Sequence, residues 1–162
     1  MASEPVIDME RRLKAGREYH TALRRLGFDP DALLWAGVGG SDADGAMELL
    51  IVTTWADNIG PKAIYDLLFE AYDASATPKE IDPFIVSLFS PQSRVAIDLA
   101  AAVYTVRKEV HRADFTPMLV LGMMDYVTIP EWIISYRQPK STRFDDARRF
   151  RAFQTNVEKL AA

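Results

Sequence analysis

Apolar positions along the chain fall into two rhythms, one helical and one of short continuous runs. From Asp8 to about Leu26, Met9, Leu13, Tyr19, Ala22, Leu23 and Leu26 form a ragged stripe at helical spacing. Gly27 stands where a helix C-cap belongs. "DPDALLWAG" follows and reads as a short helical turn, with Pro30 in the first-turn position. "MELLIVTTW" is continuously apolar and β-branched, the signature of a strand buried on both faces. Pro61 to about Asp73 is the clearest helix: Ile64, Leu67, Leu68, Ala71 and Tyr72 line one side while Asp66, Glu70 and Asp73 face away. Asp82-Pro83 opens "FIVSLFS", a second short buried strand. Ser90-Pro91 then offers an N-cap and first-turn proline to a helix striped by Val95, Leu99, Ala102, Val103, Val106 and Val110. "PMLVLGMMDYVTI" and "EWIISYR" predict two further strands meeting near Ile129-Pro130, because Pro130 would interrupt a central strand. Ser141 or Thr142 caps a last helix running to about Leu160, with Thr142 and Asp145 at capping-box spacing.

The resulting order is α, short α, β, α, β, α, β, β, α. It predicts an α/β (α+β) fold: one domain over residues 1–162, with a mixed sheet of about four strands flanked by helices. An N-terminal helix (1–27) and a C-terminal helix (141–161) bracket an α/β body (28–136). At 162 residues, such a chain buries roughly 70% of its unfolded surface. No apolar run approaches the length of a membrane span. The opening "MASEPVIDMERR" carries early acids and no apolar core, so no secretory signal is expected and the chain reads as cytoplasmic. The absence of cysteine excludes disulfides, thiol catalysis and cysteine-held zinc. His20 and His111 are the only imidazoles, so any metal site would rest mainly on carboxylates.

Charge sharpens this picture. The net −4 conceals a body (28–136) with 16 acids against 6 bases, set between two basic ends. Arg11, Arg12, Lys14, Arg17, Arg24 and Arg25 crowd the first; Arg137, Lys140, Arg143, Arg148, Arg149 and Arg151 crowd the second. Overall acidity argues against strong non-specific DNA binding. "RFDDARRFRAF" mixes arginine with aromatics, as interface cores do. It marks Arg148, Arg149, Phe150, Arg151 and Phe153 as a candidate surface for a protein partner or a second copy in a homodimer.

The densest run of candidate chemistry is "AGVGGSDADGAMELLIVTTW", Ala36 to Trp55. A dinucleotide fingerprint needs glycine where Asp42 stands, and its loop follows a strand instead of preceding one. A Walker loop needs Gly-Lys-Ser/Thr, which is missing. A calcium loop read from Gly40 has Asp42, Asp44 and Gly45 in place but lacks its first aspartate and ends on Ile51 instead of glutamate. A nucleophile elbow fails at Ala43.

"GGSDADGAMELLIV" nevertheless resembles the signature of the DNA-polymerase-beta-type nucleotidyltransferase superfamily over about residues 33–90. Gly40 and Ser41 match its Gly-Ser turn, and Ala43 and Gly45 match the turn's extension. Glu48 falls where the second acid of the strand pair belongs, and Asp82 where the third does. The resemblance implies that Gly40 and Ser41 cradle phosphates of a nucleotide, while Glu48 and Asp82 hold Mg²⁺, with the loop acids Asp44 or Asp42 as the remaining candidate ligand. Two-metal chemistry needs such acids to hold ions roughly 3.5–4 Å apart. The sequence departs at the first acid, where Ala46 stands, so the motif is degenerate.

Two acids in apolar settings, Asp98 and Asp125, read as partners of nearby cations more readily than as catalysts. Two functional expectations follow. The first is a non-catalytic binding or interaction module, dimeric through the terminal helices, on a nucleotidyltransferase-like scaffold and without a cofactor. The second is a metal-dependent nucleotidyltransferase acting on a nucleoside triphosphate with Mg²⁺. A small-molecule sensor with an apolar pocket lined by Trp55 or Trp132 is a third, with no motif behind it.

Overall fold

Ala32–Val38, expected as a helical turn, is the central strand β1. Its residues "ALLWAGV" are apolar without a break, and both faces of this strand are covered, so the periodicity that marks a helix or a half-buried strand is absent. The computed structural model describes residues 4–39, 46–108 and 118–161. Gly40, Ser41, Asp42, Ala43, Asp44, Gly45 and His111 lie outside them.

Helix α1 (Glu4–Leu26) precedes β1, and β2 (Met47–Val52) follows it as an antiparallel partner, Leu34 opposite Leu50. The short α2 (Trp55–Asn58) and α3 (Pro61–Asp73) lead through a 3₁₀ turn at Pro83–Ile85 into β3 (Val86–Phe89), which lies parallel to β2. Helix α4 (Arg94–Lys108) comes next, then β4 (Leu119–Leu121), β5 (Tyr126–Thr128), a 3₁₀ turn at Pro130–Trp132, β6 (Ile133–Tyr136) and α5 (Arg143–Leu160).

The fold is thus α+β, as the sequence predicts, but with a six-stranded sheet instead of about four. Its order is β3-β2-β1-β5-β4, with β6 also on β1. The two extra strands have local causes. β1 hides in an apolar run. "PMLVLGMMDYVTI" folds back on itself at Gly122–Asp125 as a hairpin, with left-handed backbone at Gly122, Met123 and Met124. Pro130 does interrupt a strand: β5 pairs with Gly37 and Val38, β6 with Ala32 to Leu34, and the 3₁₀ turn lies between them.

Helix boundaries follow capping chemistry. α1 ends in a Schellman arrangement, with the Phe28 N–H on Leu23 O (2.8 Å), the Gly27 N–H on Arg24 O (3.0 Å), and Gly27 at φ 104°. α4 begins later than Ser90-Pro91 suggests, because the Ser93 hydroxyl accepts the Ala96 N–H at 3.2 Å. α5 starts as expected, with Thr142 Oγ1 accepting the Asp145 N–H.

Side-chain alternation in the sheet builds two cores. Leu33, Trp35, Leu49, Ile51 and Val86 face α1, α3 and α5, where Tyr19, Leu23, Ile64, Leu68, Phe153 and Val157 are buried. Leu34, Ala36, Leu50 and Val52 face α4, through Val95, Ala96 and Leu99. The apolar stripes of both terminal helices are therefore used within the domain. Gly16 lets α1 approach closely, since a side chain there would meet Ile134 and the Trp35 indole, whose Nε1 donates to Arg12 O at 2.8 Å. No described helix is long and apolar enough to cross a membrane.

Candidate ligand-binding cavity

A polar cavity of about 380 Å³ opens at the end of the sheet where β1 begins and where β2 and β6 finish. Each wall comes from a chain segment leaving regular structure. Asp29 and Asp31 follow α1, Thr53 and Thr54 follow β2, Arg137 follows β6, and Asp146 and Arg149 stand on the first turns of α5. Backbone hydrogen bonds hold the rim: Asp31 N–H to Val52 O (2.9 Å), Arg137 N–H to Asp31 O (2.8 Å) and Thr53 N–H to Phe89 O (3.0 Å).

Within it, most charges are matched. Arg137 donates from Nη1 to Asp29 Oδ2 (2.7 Å) and from Nε to Asp31 Oδ1 (3.3 Å). The other Asp31 oxygen accepts the Thr54 N–H at 3.1 Å, satisfying the start of α2. Burial pushes the Asp31 carboxyl above the usual aspartate range, opposed by Thr54 and Arg137. His20 lies 3.8 Å from Asp29 and its Nε2 has no hydrogen-bond partner. Burial lowers its basicity, with Asp29 opposing.

Asp146 is different. It is completely buried; Oδ2 accepts from Asn58 Nδ2 at 2.7 Å, while Oδ1 has no hydrogen-bond partner among the described residues. An acceptor left unmade in the interior costs about 1–3 kcal/mol or more when charged. Arg149 is the counterpart on the cation side: it reaches Ser141 Oγ at 3.3 Å and pairs with no carboxylate among the described residues. An adjoining cavity of about 220 Å³ shares Asp31, Arg137 and Arg149 and adds Lys140.

These residues escape sequence reading because the fold, not spacing, assembles them: Asp31 and Arg137 are 106 positions apart, Asn58 and Asp146 88. Trp55 lines the cavity, as one expectation had it, but the site is polar. Its indole is stacked on Phe28 at 4.4 Å.

The acids singled out by motif are elsewhere. Glu48 projects from β2 on the α4 side of the sheet, and its Oε2 accepts from Ser87 Oγ (2.8 Å) and Tyr126 OH (2.7 Å). Ser87, paired with Leu50 in the β2–β3 register, is thus the β3 side chain that reaches Glu48. Asp82 precedes the 3₁₀ turn and caps it, accepting the Phe84 N–H at 2.9 Å. Among the described residues, no three His, Cys, Asp or Glu side chains are placed to hold a metal ion. Asp98 pairs with Arg94 (3.1 Å) and accepts the Gly122 N–H (2.8 Å), and Asp125 is exposed. On α5, Arg148, Arg149 and Arg151 are exposed and Phe150 is half-buried against Trp55. Phe153 is fully buried beneath them.

The Tyr126 hydroxyl is pushed up to about 12, by burial first and then by its bond to Glu48. Ultraviolet titration of Glu48→Gln is expected to bring Tyr126 partway back toward about 10, the ordinary tyrosine value. An unmoved midpoint would mean that the bond to Glu48 contributes nothing.

A scan of family models, a search of curated proteins and a search of solved structures each returned no match.

Proposed function

We propose that this chain is a non-catalytic binding module whose recognition site is the polar cavity between α1, α2 and α5. The observation that carries the reading is the Asp146 carboxylate, buried in the cavity wall with one oxygen unpartnered. Buried acceptors in folded proteins almost always find a donor, so an unpartnered one in the wall of a polar cavity is suited to a donor supplied from outside. The nucleotidyl-transfer reading receives less support. Glu48 already accepts two hydroxyl donors through one oxygen, and Asp82 is used as a turn cap.

Thermal melting tests this against chemically sorted pools: amino acids, organic acids, sugars, polyamines, and nucleotides with Mg²⁺ or Mn²⁺. A site filled at 100 times its dissociation constant adds about 2.7 kcal/mol, or roughly 5–10 °C in Tm at this size. The expected result is a rise with one polar pool, abolished by closing the cavity with Ser141→Trp, and no rise with metal–nucleotide. A metal-dependent rise with nucleotide, lost in Glu48→Ala and Asp82→Ala, would overturn the reading in favour of nucleotidyl transfer.

A further inference from the structure

We infer that the cavity takes a free α-amino acid, its ammonium on Asp146 and its carboxylate on Arg149; this rests on the binding-module reading above. The charge inventory of the walls leads there. Asp29 and Asp31 are already met by Arg137, at 2.7 and 3.3 Å, and Arg24 stands 3.8 Å from Asp29. What remains among the described residues is one unpartnered acceptor buried in the wall, Asp146 Oδ1, and one exposed cation without a carboxylate partner, Arg149. One unmatched charge of each sign calls for a ligand bearing one of each.

Depth sets the orientation. Asp146 is wholly buried and Arg149 is exposed, so the cationic end of the ligand enters first and the anionic end faces the opening. Spacing sets the size. Asp146 and Arg149 are three apart on α5, neighbours on one helix face with Cβ atoms about 5–6 Å apart. Two groups projecting from one turn of one helix are served by a ligand whose opposite charges lie close together, as they do on a single Cα. A guanidinium also holds a carboxylate through two parallel N–H donors, which favours that anion over a hydroxyl or carbonyl.

Other occupants fit less well. A nucleobase wants an aromatic face, and Trp55 is buried, with Phe28 stacked on it and Phe150 and Phe153 packed at 5.5 and 5.7 Å. A bare divalent ion wants three or more oxygen or nitrogen ligands, and no described cluster supplies them. The 380 Å³ volume leaves room beyond the two charged groups for a side chain of moderate size, running toward Lys140 and the adjoining space.

Calorimetric titration of the full chain tests the proposal with three matched sets of probes. They are free L-amino acids, the same amino acids as carboxamides (ammonium kept, carboxylate neutralised), and the same amino acids N-acetylated (carboxylate kept, ammonium removed). At least one free amino acid is expected to bind, with each modified form weaker by about tenfold or more. Asp146→Asn keeps the acceptor for Asn58 and is expected to lose roughly 10- to 100-fold in affinity. Arg149→Gln, on an exposed position that does not endanger the fold, is expected to lose about tenfold. Carboxamides binding as well as free acids would overturn the Arg149 half and point to an amine or a polypeptide N-terminus. No binding by any amino acid, with a different polar pool still raising Tm through the cavity, would overturn the proposal and leave the binding module standing. Silence from every pool would remove both.

Discussion

Phe153→Ala is expected to cost about 3–5 kcal/mol, a large share of the 5–15 kcal/mol that holds a domain of this kind folded. Phe153 is fully buried on α5 and sits 5.5 Å from the Phe28 ring and 5.7 Å from Trp55, in tilted contact with both. Phe28 follows the α1 cap and Trp55 opens α2, so one ring on α5 packs against both. Alanine would leave a cavity walled by two aromatic groups already fixed by their 4.4 Å stack, which limits how far the site can collapse. Urea unfolding of the variant beside Leu160→Ala reads the effect. Leu160 lies on the same helix but is 40% exposed, and its removal is expected to cost about 1 kcal/mol or less. Equal losses in the two variants would mean that the aromatic cluster contributes no more than helix propensity does. A consequence reaches the cavity, because Trp55 belongs to its wall: Phe153→Ala is expected to loosen ligand binding even where the domain stays folded.

Phe153 also shows what was legible in the sequence and what was not. Its helical spacing with Phe150 and Val157 placed it on an apolar stripe, and α5 begins at the cap that Thr142 predicts. Whether that stripe met a partner or the body of the same chain was not written locally, because periodicity reports amphipathicity and not what covers it. α3 was readable for the same reason, with a complete stripe and Pro61 at its start. β1 was not, since a strand covered on both faces loses the alternation that distinguishes it, and Pro30 beside "ALLWA" suggests the first turn of a helix. The hairpin of β4 and β5 was hidden by Met123 and Met124, which adopt the left-handed backbone usually left to glycine or asparagine. The cavity was the least legible feature. Its open groups, Asp146 and Arg149, lie inside a charged run, "RFDDARRFRAF", that reads as a solvated helix face. Only the fold shows that one of them points into the interior.

Asp31→Ala is expected to destabilise by about 2–3 kcal/mol. Removing one member of a buried ion pair commonly costs 3–5 kcal/mol because the partner is left charged and unmatched. Here the cost is smaller, since the Arg137 side chain is 43% exposed and keeps Asp29 at 2.7 Å. What cannot be recovered is the acceptor of the Thr54 N–H, since Thr53 Oγ1 already accepts the neighbouring Trp55 N–H at 3.1 Å. Asp31→Asn separates the two contributions, because it keeps the acceptor for Thr54 and removes the charge. Its dependence on pH follows from the direction of the Asp31 shift. Burial raises the carboxyl above its unfolded value, so between the two values the folded state binds more proton than the unfolded chain. The Asp31 contribution therefore grows as pH falls from neutrality through the raised value and levels off below the unfolded value of about 3.9. Paired urea midpoints at neutral pH and near pH 4.5 are expected to show the parent protein gaining on Asp31→Asn toward acid. A gap that narrows instead would mean that Arg137 and Thr54 outweigh burial and hold the carboxyl ionised. In that case the rim of the cavity carries a fixed negative charge at every pH where the domain is folded, and the Asp146 oxygen would not be alone in drawing a cation inward.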